Sequence, residues 1–194
     1  LANHPRVAEL VRAWAQALLT SPGPVGEDEL RAILVAGKSM DEEPYVWAAV
    51  REQWNAALEP TLTARISSVP SEVDLCDELA LTALKVAPKS LVAAFQENSG
   101  QPDRQVTLLT AMQRARRQLG KDSHAATLRL ITGALPRELK EIYKALPTRK
   151  RKARKVNGPT LSFLTACASQ LNADALELVV PVIIASSGDA SPAM

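Results

Sequence analysis

The stretch SEVDLCDELALTALKVAPKSLVAAFQENSG, residues 71–100, decides the fold. Apolar residues recur at Cys76, Leu79, Ala83 and Val86, the three-and-four spacing of one helix face. Ahead of them, Ser71-Glu72-Val73-Asp74 resembles a capping box with Asp in the place of the usual Glu. Pro88 opens a second helix through Phe95, because a first turn does not use the N–H that proline lacks. Asn98-Ser99-Gly100 then breaks the chain. Two helical periods separated by one proline, with no strand alternation, read as a helical hairpin.

The pattern extends in both directions. Upstream, a helix starts at Pro5, presents Val7, Leu10, Val11, Trp14 and Leu18, and ends at Ser21-Pro22-Gly23-Pro24. A second runs from Glu27 to Ala36, with Gly37 as its stop. A third begins near Asp41, carries Val46, Trp47, Val50, Trp54 and Leu58, and closes at Glu59-Pro60, before a short helix over 61–68. Downstream, helices are expected over 102–119, 123–134 and 136–146, and another around Leu161, Leu164, Ala168 and Leu171. Residues 174–185 read as a helix kinked at Pro181, with Val179 to Ile184 as an alternative strand.

The expected fold class is all-α, with about nine or ten helices in an irregular multi-helix bundle or a short helical-hairpin array. Hairpins over 72–97, 123–146 and 160–185 are unevenly spaced, which favours the bundle. Thr160-Leu161-Ser162-Phe163-Leu164-Thr165-Ala166-Cys167, followed by Ala173-Asp174-Ala175-Leu176-Glu177-Leu178, resembles a single pentatricopeptide unit. Pro181 and the apolar 178–184 stretch depart from that pattern, and the earlier hairpins do not match it. The expected core includes Leu10, Trp14, Trp47, Trp54, Leu79, Leu109, Leu139 and Leu164.

Composition agrees with helices. The 194 residues are 46% hydrophobic, enough for a packed core, yet include only three Trp, two Tyr and two Phe. No apolar run reaches the length of a membrane span. Cys76 and Cys167 have neither Cys nor His at metal-ligand spacing, and read as reduced, buried thiols of an intracellular protein. His4 and His124 sit in no catalytic or metal motif. Gly37-Lys38-Ser39 lacks the earlier glycine of a phosphate-binding loop and follows a helix rather than a strand. The acidic clusters fall at helix N-termini, where the macrodipole explains them. No enzyme and no cofactor are expected.

The charge is unevenly laid out. The overall net charge is +2, but residues 1–100 carry 8 Lys/Arg against 14 Asp/Glu, and residues 101–194 carry 15 against 7. The chain is therefore read as an acidic helical subdomain, 1–100, and a basic one, 101–194, with an exposed basic loop at 148–158 and a mobile tail at 186–194. In that loop Arg149-Lys150-Arg151-Lys152-Ala153-Arg154-Lys155 places six cations in seven residues, with no Asp or Glu between Glu141 and Asp174. Such density needs water or an anionic partner. Arg114, Arg117 and Lys121 are spaced to share one helix face and extend the basic surface. The nearest aromatics, Tyr143 and Phe163, fit core positions, so backbone contacts are expected rather than base readout.

The reading that follows is a non-enzymatic helical protein that contacts nucleic acid electrostatically, RNA before DNA. Ribonucleoprotein subunits and viral capsid or nucleocapsid proteins are of this kind. The alternative is a scaffold or adaptor that binds other proteins or itself, its basic run docking on an acidic protein surface or serving nuclear import.

Overall fold

The computed structural model describes residues 5–119 and 125–188. His4, Lys121, His124 and most of the expected tail lie outside these residues. Eleven α-helices are present among them: α1 (Pro5–Leu19), α2 (Glu27–Ser39), α3 (Glu43–Glu52), α4 (Glu59–Ser67), α5 (Val73–Val86), α6 (Pro88–Glu97), α7 (Pro102–Ala115), α8 (Ala125–Ala134), α9 (Arg137–Ala145), α10 (Gly158–Ala168) and α11 (Ala173–Ser187). Short 3-10 turns precede α4 and follow α7. The protein is all-helical as its sequence predicts, with one or two helices more than expected.

Several local expectations are corrected. Glu59-Pro60 does not close α3, which ends at Glu52; it opens α4, with proline in the first turn. Gly37 does not stop α2 but lies buried inside it, facing α3. A Cβ at this position would sit 2.6 Å from Val46 Cγ2, so the missing side chain is what lets α2 and α3 approach. The Ser71 capping box does not form: Glu72 is the N-cap, makes no side-chain cap, and accepts from the Ser71 hydroxyl instead. Val179 to Ile184 is helical, not a strand, and burial at Ala175, Leu178, Val179 and Val182 follows the helical period through Pro181.

The helices stack in two rows. In one, α1, α3, α5, α7 and α9 pack in succession; in the other, α4, α6 and α8 do. Each hairpin thus rests on its neighbours, and α10 and α11 fold back onto α7. One hydrophobic core runs through residues before and after Gly100, because α5 lies along α7. Trp47, Leu79, Leu109, Leu139 and Leu164 are buried as expected. Trp14 and Trp54 are only partly buried, and Trp14 donates its indole N–H to Glu29. Leu10 is 68% exposed: α1 ends its row and buries only a narrow stripe, Val11, Ala15 and Leu18.

Arginine–carboxylate pairs tie neighbouring helices. Arg12 reaches Glu42 at the start of α3, Arg65 of α4 makes a bidentate contact with Glu43, and Arg51 of α3 meets Glu78 of α5. The Arg114 Nε–H of α7 is shared between both carboxylate oxygens of Asp77 on α5, at 2.8 and 2.9 Å. Burial pushes the Asp77 carboxyl above its ordinary range, against the pull of Arg114. Four acids of the helix-terminal clusters, Glu42, Glu43, Asp77 and Glu78, therefore also tie neighbouring helices together, and the Arg65–Glu43 pair joins the two rows.

Candidate nucleic-acid interface

The basic segment is anchored at both ends. α9 is strongly amphipathic: Leu139, Ile142, Tyr143 and Ala145 are buried, while Lys144 points outward. Past its end, Thr148 and Arg151 exchange both backbone hydrogen bonds, at 2.8 and 3.2 Å, closing a tight turn with Arg149 and Lys150 at its tip. The chain then runs extended to Asn157. Its Arg154 N–H bonds the Ala145 carbonyl at the end of α9, and its Val156 N–H bonds the Ser186 hydroxyl of α11. Ala153 and Val156 pack against the core. Asn157 caps α10 by accepting from the Thr160 N–H.

This arrangement sorts the six cations. Arg149, Lys150, Lys152, Arg154 and Lys155 are exposed. Arg151 is half-buried and turned back, donating to the Lys144 carbonyl at 2.7 Å. It thereby serves the negative end of α9. Glu141 and Lys144 of α9, with Arg154, Lys155 and Asn157, line a cleft of about 360 Å³. The Glu141 carboxylate is held by Arg137 and by the Thr160 hydroxyl at 2.9 Å. The cleft has room for a phosphate group and its water, and three cations border it.

The second group of cations is placed differently from its expected common face. Arg114 is 16% exposed and bound to Asp77, so it is absent from the basic surface. Arg117 is exposed, on the 3-10 turn that follows α7, and Lys121 lies outside the described residues. α7 ends at Ala115 and Arg117 lies on the turn beyond it, while Asp77 draws Arg114 away toward α5. Arg116, which the spacing argument passes over, is the residue that meets α9. Its guanidinium lies 6.0 Å from the Tyr143 ring centroid and donates to the Tyr143 hydroxyl at 3.3 Å. Burial raises the Tyr143 phenol above its ordinary pKa, while Arg116 and Arg151 both pull it down. Arg116 and the basic turn thus flank the same ring.

Tyr143 is buried and Phe163 packs against the core, so neither offers a stacking face. Lys144, four residues after Lys140, reaches the cleft only because the folded chain brings the basic segment back to the end of α9. Among the described residues no group of His, Cys, Asp and Glu is arranged to hold a metal ion, and no helix is long and apolar enough to cross a membrane. Comparison with protein families, curated proteins and solved structures finds no match to this chain.

Proposed function

We propose that this protein contacts nucleic acid without transforming it, through the basic turn at 148–158, and that single-stranded RNA is its first partner. One observation carries the reading. Five cations of the segment are exposed on a backbone that is pinned to α9 and α11, and two of them border the phosphate-sized cleft. A pinned segment loses less conformational entropy on binding than a loose tail. A flexible single strand can wrap its phosphates around so short a turn, whereas a stiff duplex meets fewer of the cations. Tyr143, the ring beside the basic turn, is buried, so contacts are to phosphates and little depends on base sequence.

The test is binding of fluorescent single-stranded RNA, single-stranded DNA and duplex at several salt concentrations. Each phosphate neutralised contributes about −0.7 to the log–log salt slope for a single strand. Replacing Arg149, Lys150, Lys152 and Arg154 with Gln should therefore flatten the slope by about 3 units, with no change in helix content. Unchanged affinity and slope in that variant would overturn the proposal. Entry of the parent chain, but not the variant, into a nucleus without RNA binding would make the run an import signal.

A further inference from the structure

A second surface, remote in sequence from the basic turn, has the build of a peptide-binding groove. On α2, Arg31, Leu34, Val35 and Lys38 fall at i, i+3, i+4 and i+7, one stripe two turns long. On α4, Thr61, Ala64, Arg65 and Ser68 repeat the same spacing, Ser68 being the residue that ends the helix. The two stripes face each other across a trough of about 720 Å³. Small side chains on the α4 wall leave it open, and Trp47 and Glu43 of α3 also line it.

The trough combines apolar surface with fixed charge. Val35, 69% exposed, stands on its edge. The Arg31 guanidinium is held by the Glu27 carboxylate, the Thr61 hydroxyl and the Ala57 carbonyl. Arg65 is held by Glu43 and by the Ser68 hydroxyl. Both guanidiniums are therefore oriented before any ligand arrives, and each retains N–H donors beyond those bonds. Lys38 adds a third cation, so three cations and one carboxylate line the trough. Trp47 is 1% exposed, and its indole N–H is a buried donor without an acceptor.

We infer that this trough between α2 and α4 binds a short acidic amphipathic helix of a partner protein. Two turns of groove accept apolar anchors spaced three or four residues apart, the mode in which an amphipathic helix lies in a hydrophobic groove. Carboxylates flanking those anchors meet Arg31, Lys38 and Arg65. The occupant is anionic because exposed Lys38 adds a positive charge to two ion-paired guanidiniums that keep N–H donors to spare, and has an apolar face because Leu34, Val35, Pro60 and Ala64 form the walls.

The test selects a phage-displayed library of random 12-residue peptides on the full chain, and on an Ala64→Trp variant whose exposed Ala64 becomes a plug. Enrichment on the parent of peptides with apolar residues three or four apart, flanked by Asp or Glu, and none on the variant, is the expected result. A synthetic copy of an enriched peptide should bind about tenfold more weakly to Lys38→Glu, where like charge meets like. It should bind equally to Arg149→Gln/Lys150→Gln, so this inference and the nucleic-acid reading stand or fall separately. Matching melting curves verify that the variants fold. Four outcomes would overturn the inference: no enrichment over Ala64→Trp, enrichment of basic peptides, displacement of the peptide by single-stranded RNA, or self-association of the parent abolished by Ala64→Trp. The last would assign the trough to a second copy of the chain.

Discussion

Arg151 offers a way to separate support of the basic turn from use of it. The run looks uniform in sequence, yet Arg151 alone turns inward, donating to the Lys144 carbonyl. Arg151→Gln removes that bond and a cation at the C-terminus of α9. The bond is solvent-exposed and so contributes about 1 kcal/mol, and the charge at a helix end adds about 0.3–1 kcal/mol. Against this, the Arg151 Nε is buried without an acceptor, and its loss returns part of that energy. The net cost is about 1 kcal/mol, or a fall of about 2–4 °C in Tm for a chain of this size. The salt slope of RNA binding should stay close to that of the parent.

Arg149→Gln/Lys150→Gln should behave in the opposite way. Both side chains lie at the exposed tip of the turn and bond nothing that holds it, so Tm should not move. The slope should flatten by about 1.4, two contacts at about 0.7 each. Thermal melts followed by circular dichroism and anisotropy titrations at 50–300 mM salt give both quantities. If Arg151→Gln and the tip variant give the same pair of shifts, the sorting of cations into support and contact is wrong.

Three further outcomes are expected. Gly37→Ala gains about 1 kcal/mol of helix preference but forces a methyl against Val46, costing about 1–3 kcal/mol; chemical denaturation should show a net loss in the parent and a smaller one in a Val46→Ala background, where the 2.6 Å contact is gone and only the 3.1 Å contact with Cβ remains. Arg114→Gln should lower stability by about 2–3 kcal/mol, since it strands the Asp77 carboxylate, while the RNA salt slope is unchanged; a flattened slope would return Arg114 to the interface. Burial, and then the nearby Asp77, push the Cys76 thiol up to about 12 from an ordinary 9.0. A raised folded-state pKa gives stability that is complete below about pH 9 and is lost as pH climbs toward 12, at up to about 1.4 kcal/mol per unit. Melting from pH 8 to 10.5 should therefore fall more steeply for the parent than for Cys76→Ala, and parallel curves would show the thiol to be accessible.

The fold was legible where one residue sufficed to start or stop a helix. Prolines at 5, 88 and 102 begin α1, α6 and α7, and Ser21 to Pro24 separates α1 from α2. It was illegible where a distant neighbour decided. Gly37 has the position of a stop, but its role is to admit Val46 of another helix. Leu10 has core spacing, but α1 has neighbours on one side only. Arg114 has the spacing of a surface partner for Arg117, but Asp77, 37 residues away, claims it. The trough was hidden for the same reason: each stripe is a plain i, i+3, i+4, i+7 pattern, and nothing local says that the two face each other.

The layout of charge bears on which surface is functional. Six acids of the first half lie in the opening turns of α2, α3, α4 and α5, where the macrodipole is positive, and Glu42, Glu43, Asp77 and Glu78 bind arginines between helices. Folding alone accounts for that acidity. The basic run sits at the opposite kind of site, the end of α9, where the helix carries about half a negative charge. Arg151, bonded to the last turn, and Lys144 within it already answer that half charge. The five exposed cations that follow exceed what the helix terminus requires, and their mutual repulsion opposes the tight turn that holds them. An anionic partner of the kind proposed above would relieve that repulsion, and Arg154 beside the cleft is placed to meet it.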